Sequence, residues 1–292
     1  MSACRSAVVQ PSVLREHVRA LTTQFEPRDF DHPDNLDRAA AFVADAFRGT
    51  GAKGSEQTYR VGDHTYRNVI AELGPDTPER IVIGAHYDTA GDQPGADDNA
   101  SGVAGLLELA RLLAASPPPL RVELVAYTLE EPPNFGTEEM GSAVHARALA
   151  ERGAKVRLMI SIEMIGGFSD QPGSQHYPAV VGWFYPSKAN FIAVVGKWGQ
   201  GATVSEVEAA LRAGCSVPVE TLTAPTFVTG VDFSDHRNYW AHGYRAVMVT
   251  DTSFYRNERY HTTDDRADTL DYDRMAEVVK GVHCVVQTAA RR

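Results

Sequence analysis

Residues 81–113 read IVIGAHYDTAGDQPGADDNASGVAGLLELARLL. The stretch opens with Ile81 to Ala85, apolar throughout, the pattern of a strand in the middle of a sheet. It closes with Ser101 to Leu113, apolar on nearly every side at helical spacing, which predicts a helix buried against that sheet. A buried strand followed by a buried helix is the unit of a parallel sheet, because the chain must cross one face before the next parallel strand begins.

The same alternation continues outward in both directions. Upstream, Val13, His17, Val18 and Leu21, then Leu36, Ala39, Ala40, Val43 and Phe47, recur at helical spacing, with the second helix ending near Gly51. Tyr66 to Leu73 reads as a strand. Downstream, Val122 to Tyr127 and Val156 to Ile162 read as central strands separated by a helix over Gly141 to Arg152. Ala246 to Thr250 follows as a strand and Asp271 to Thr288 as a closing helix. The order predicts an α/β fold with a mostly parallel sheet and helices on both faces, whose sites lie at the carboxyl ends of strands. Pro117 to Pro119 only turns a helix into the next strand, and no linker or repeat divides the chain, so residues 1–292 are expected to form one domain.

Apolar residues make up 43% and charged residues 23% of the 292, the balance of a globular protein with a sizeable core. Lys plus Arg number 28 against 38 for Asp plus Glu, a net charge of -10, with no basic stretch to follow a phosphate backbone, so no nucleic-acid partner is expected. No segment reaches the roughly 18 unbroken apolar residues of a membrane span, and Met1 to Pro11 lacks an apolar signal core. A cytoplasmic protein without membrane contact is expected, with export left open. Cys4, Cys215 and Cys284, far apart and odd in number, form neither a disulfide framework nor a cysteine zinc site and read as reduced thiols.

The acidic residues and histidines fall in register with the strand ends. His86 and Asp88 follow Ile81 to Ala85, Asp97 and Asp98 precede the buried helix, and Glu130 and Glu131 follow Val122 to Tyr127. Glu163 follows Val156 to Ile162, and His261 lies in the loop after Ala246 to Thr250. Each alone has an ordinary structural reading. His86 could be a hydrogen-bonded strand end, Asp97 and Asp98 a helix cap, Glu130 and Glu131 a solvated loop, and His261 with Thr262 to Asp265 an exposed turn. Together at one sheet edge they read as a metal site.

These residues also carry a family resemblance. Gly84-Ala85-His86-Tyr87-Asp88, Gly95-Ala96-Asp97-Asp98-Asn99-Ala100-Ser101-Gly102, Glu130-Glu131, Glu163-Met164-Ile165-Gly166 and Tyr260-His261-Thr262 resemble the zinc aminopeptidase family that also contains glutamate carboxypeptidases and glutaminyl cyclases. The likeness runs from about Leu14 to Val282, and the Asp-Asp-Asn-Ala-Ser-Gly run with the downstream Glu-Glu pair is its specific part.

The resemblance implies a three-layer α/β/α domain with a twisted mixed sheet of about eight strands, and two zinc ions side by side. Asp97 would bridge the ions, His86 and Glu163 would complete one coordination sphere, and Glu131 and His261 the other. Carboxylates and imidazoles without thiolate suit zinc, with cobalt or manganese as substitutes. Glu130 would be the general base for a metal-bridging water, Asp88 would fix the far ring nitrogen of His86, and Tyr260 would donate to the oxyanion. A cis peptide is expected between Asp97 and Asp98. Two departures stand out: Glu163 occupies a place where Asp is common, and Val231 stands where some members have a Tyr before Ser234-Asp235-His236.

The implied activity is hydrolysis of a terminal peptide bond in a peptide or aminoacyl substrate, as an aminopeptidase, since compact chains without an inserted domain resemble the bacterial aminopeptidases. The alternatives are a glutaminyl cyclase-like zinc acyltransferase and a catalytically silent binding module. No Gly-x-Ser-x-Gly elbow or His-Glu-x-x-His helix is present. Gly167 to Tyr177 and Pro225 to Asp232 read as loops that set specificity. Oligomeric state and the role of Ser234, Asp235 and His236 are left open.

Overall fold

The computed structural model describes residues 7–178 and 181–291. Two N-terminal helices, α1 (Pro11–Gln24) and α2 (Pro33–Gly49), each begin with proline, which suits a first turn that needs no N–H donor. The hairpin β1 (Lys53–Val61) and β2 (His64–Leu73) follows, then β3 (Glu79–His86), α3 (Gly102–Ala115), β4 (Arg121–Tyr127), α4 (Gly141–Glu151) and β5 (Lys155–Glu163). The C-terminal part adds β6 (Ile192–Lys197), α5 (Gly201–Gly214), β7 (Val219–Ala224), α6 (His236–Ala241), β8 (Ala246–Thr250) and α7 (Tyr272–Ala289).

The strands form one eight-stranded sheet in the order β1-β2-β4-β3-β5-β8-β6-β7. β4, β3, β5 and β8 run parallel in the centre, while β1, β2 and the β6/β7 pair meet their neighbours antiparallel. The expected mixed, mostly parallel α/β sheet of about eight strands is therefore found. Helices α1, α2, α3, α5 and α7 cover one face over the larger apolar core, and α4 and α6 pack on the other. α3 is buried from Gly102 through Ala110 without a break, as its all-round apolar pattern requires. A Cβ on Gly102 would meet Asn99 Oδ1 at 2.3 Å and Ile162 O at 2.7 Å, so only glycine lets α3 start this close to β5.

Three sequence expectations need correction. β1, β6, β7, α5 and α6 were not anticipated. The non-proline cis peptide lies between Asp98 and Asn99, one bond later than expected. Cys284 is disulfide-bonded rather than reduced, Cys215 is a free thiol, and Cys4 lies outside the described residues. No helix among the described residues is long and apolar enough to cross a membrane.

Candidate metal centre and active site

The four central parallel strands end at one edge, and the chain turns sharply there. Leu129, Met164 and His261 hold left-handed backbone at φ 57°, 49° and 57°. Non-glycine residues in this region cost about 1–3 kcal/mol each and persist where surrounding structure enforces them. Each is at or beside an acidic or imidazole side chain that faces the same point.

His86 Nε2 lies 3.4 Å from Asp98 Oδ1, 3.4 Å from Glu163 Oε2 and 3.9 Å from Glu130 Oε2. His261 Nε2 lies 3.1 Å from Asp98 Oδ2 and 3.3 Å from Glu131 Oε1. Asp98 thus stands between two imidazoles with one oxygen toward each. Donor atoms of His86, Asp98 and Glu163 fall within 4.8 Å of one another, as do those of Asp98, Glu131 and His261. Asp98 Oδ2 and Glu131 Oε1 are buried and accept no hydrogen bond from the described residues. Buried carboxylate oxygens without donors are costly unless a cation meets them. Imidazoles and carboxylates without thiolate are a donor set that fits zinc.

The charges are strongly coupled. Burial opposes the imidazolium of His86, yet the charges of Glu163 and Glu130 overcome it and raise its proton affinity well above the usual range. Burial also opposes ionisation of Asp98, but the adjacent imidazoles of His261 and His86 hold that carboxyl well below its ordinary value. Glu131 is pushed up to about 8 by burial and by the charge of Asp98. Burial likewise raises Glu130 well above the usual carboxylate range; His86 opposes the rise, and Glu131 and Glu163 add to it.

Asp97, expected to bridge two ions, faces away from this cluster. Its Oδ1 accepts from Gly166 N at 2.9 Å and its Oδ2 from Asn257 Nδ2 at 3.0 Å. Burial and the Asp251 carboxylate raise its proton affinity well above normal, and with both oxygens taken by hydrogen bonds Asp97 serves to anchor the loop. The central position belongs to Asp98. Both backbone N–H groups of the pair are held by Asp265, with Asp97 N at 2.9 Å and 3.1 Å from its two oxygens and Asp98 N at 3.1 Å. Asn99 ties the same loop to the end of β5, donating to Ile162 O at 2.9 Å and accepting from Met164 N at 3.1 Å.

The remaining expected residues are also near the cluster. Asp88 Oδ1 lies 3.5 Å from His86 Nδ1, and Asp88 Oδ2 accepts from Glu131 N at 3.0 Å, so one carboxylate links the ends of β3 and β4. Tyr260 stacks on His261 with ring centroids 3.8 Å apart and lines the adjoining cavity. Sequence reasoning missed Asp265, Asn257 and Arg28. Arg28 is fully buried and donates to the carbonyls of Leu21, Tyr87, Pro94 and Gly95, joining both ends of the loop that carries Asp88. Nothing in the sequence around Arg28 signals this, whereas Asp265 lay in the run read as a possible exposed turn.

A cavity of about 290 Å³ opens from the carboxylate cluster. Its walls are mainly apolar and aromatic, with Phe135, Phe233, Phe254 and Met248 among them. Asp98, Glu130, Glu131 and Glu163 stand at one end, and no Lys or Arg lines it among the described residues.

A family model described as Peptidase family M28 matches residues 68–286. Uncharacterized protein YfbL of Escherichia coli (strain K12) is 49% identical over 281 residues, covering 93% of this chain and 86% of that protein. Leucine aminopeptidase 1 of Emericella nidulans is 26% identical over 255 residues, covering 82% of this chain and 60% of its own length. Among solved structures, the zinc aminopeptidase BSAP of Bacillus subtilis superposes with a TM-score of 0.77 at 14% identity, over 98% of this chain and 96% of that one. A glutaminyl cyclase of Bacteroides thetaiotaomicron gives 0.73 at 20% identity, over 95% and 97%.

Proposed function

Because this chain belongs to peptidase family M28, we propose that it acts as a dizinc aminopeptidase, removing the N-terminal residue from a peptide or aminoacyl substrate. The observation that carries this reading is the charge of the cavity: acidic at the reactive end and without Lys or Arg among its described lining residues. A free N-terminal ammonium is drawn to such a site, while a C-terminal carboxylate has no cation to receive it.

His86, Asp98 and Glu163 would hold one zinc ion, and Asp98, Glu131 and His261 a second, with Asp98 shared between them. When bound, such ions polarise a carbonyl and make water a nucleophile near neutral pH. Glu130, buried among carboxylates that raise its proton affinity, is suited to take a proton from water and pass it to the leaving amine. Asp88, beside His86 Nδ1, orients that ring. Tyr260, on the cavity wall, donates to the oxyanion.

The test is metal content by elemental analysis beside turnover of aminoacyl amides, with and without chelator. About two zinc per chain with chelator-sensitive release of the N-terminal residue is expected. One zinc with cyclisation of N-terminal glutamine would replace this reading by the acyltransferase. Absence of both metal and turnover would replace it by the binding module.

A further inference from the structure

The register of the sheet places Glu163 in line with a second acid. Glu163 pairs with Thr250, Thr250 with Ala193, and Ala193 with Glu220, across β5, β8, β6 and β7. Residues in lateral register share a face of a sheet, and all four line the cavity. Three strand spacings of about 4.8 Å put Glu220 about 14 Å from Glu163. Between them the small side chains Thr250 and Ala193 form the floor of a groove with a carboxylate at each end.

Glu220 is half-buried and forms no ion pair or hydrogen bond among the described residues. Tyr177 and Tyr185 stack above this end with centroids 5.7 Å apart. Arg256 lies against Phe191, but it donates to the carbonyls of Gly167 and Phe191 and does not line the groove.

We infer that the groove is the pocket for a long cationic side chain, lysine or arginine, at the N-terminus of the substrate, and that Glu220 determines this specificity. The inference rests on the aminopeptidase reading above. Such a side chain extends about 6–7 Å from its Cα, about half of the 14 Å span, and a glutamate side chain at the far end can cover much of the rest. Its methylenes lie along the apolar walls while the charge reaches Glu220 beside the Tyr177–Tyr185 stack. A neutral side chain of the same length fills the walls but leaves Glu220 without a partner.

The experiment compares kcat/KM of the metal-loaded enzyme on the p-nitroanilides of lysine, arginine, norleucine, leucine and glutamate. Lysine and arginine are expected to exceed norleucine by about tenfold. Glu220→Gln is expected to lower the lysine-to-norleucine ratio about tenfold, mainly through KM. Norleucine turned over as well as lysine, or a ratio that Glu220→Gln does not change, overturns the inference and leaves the aminopeptidase reading standing. A parallel loss on both substrates assigns Glu220 to structure and also overturns it. No turnover of any p-nitroanilide removes the aminopeptidase reading, and the inference with it.

Discussion

Ser234 Oγ donates a 2.6 Å hydrogen bond to Glu163 Oε2, the oxygen that also lies 3.4 Å from His86 Nε2. Ser161 Oγ in turn lies 2.7 Å from Ser234 Oγ. Glutamate carries one more rotatable methylene than aspartate, and this pair of hydroxyls fixes its rotamer. Ser234→Ala is expected to weaken metal binding about 10- to 100-fold, measured by competition with a chromogenic chelator. Unchanged affinity would show that packing alone positions Glu163.

Glu130→Gln keeps the volume and removes the proton acceptor. It is expected to lower kcat by about 10²- to 10⁴-fold while zinc content stays at the wild-type value. Full loss of zinc in this variant would make Glu130 a ligand, a role consistent with its 3.9 Å approach to His86 Nε2.

Asp97 and Asp98 are expected to separate sharply. Asp98→Asn lowers zinc stoichiometry, because the carboxylate between the two imidazoles is gone. Asp97→Asn retains zinc but destabilises the fold by about 1–3 kcal/mol, since an amide cannot accept from both Gly166 N and Asn257 Nδ2 without turning its own donor toward one of them. Elemental analysis with urea unfolding of both variants checks this. Zinc loss confined to Asp97→Asn would return the bridging role to Asp97.

Acid should destabilise the protein through a histidine far from the metal cluster in function. His145 is buried with Nδ1 2.6 Å from Tyr239 Oη and Nε2 3.7 Å from Glu123 Oε2; burial, with the charges of Arg152 and Arg80, outweighs that carboxyl, itself raised by burial, and lowers the His145 pKa to about 3. Its folded value lies below the unfolded 6.5, so the unfolded chain binds the extra proton. The stability is present above pH 6.5 and is lost as pH falls toward about 3, with a slope of up to about 1.4 kcal/mol per pH unit for this one group. Urea unfolding of wild type and His145→Gln between pH 7 and 5 reads the effect. Equal slopes in the two proteins would exclude His145 as the source.

The sheet centre was legible because its strands carry unbroken apolar runs that only a doubly covered position accounts for, as in Ile81 to Ala85. β1 was not legible: Lys53–Val61 is mostly polar and exposed, and exists because β2 pairs with it along its whole length. β7, at the opposite edge, has the weak pattern VETLTA and only β6 as a neighbour. Edge strands are defined by their partner more than by their own residues.

The sequence by itself determined the α/β sheet and the set of strand ends that would carry acids and imidazoles, since these follow from hydrophobic period and residue type, and it carried the family as a resemblance of motifs. Only the tertiary structure decided which of two adjacent aspartates faces the histidines, because adjacent side chains diverge along a backbone path that Asp265, Asn99 and Arg28 impose from distant parts of the chain. It also decided that Ser234 supports Glu163 and that Glu220 stands in line with it. Those relations run between strands, and lateral register is a property of pairing that no single segment contains.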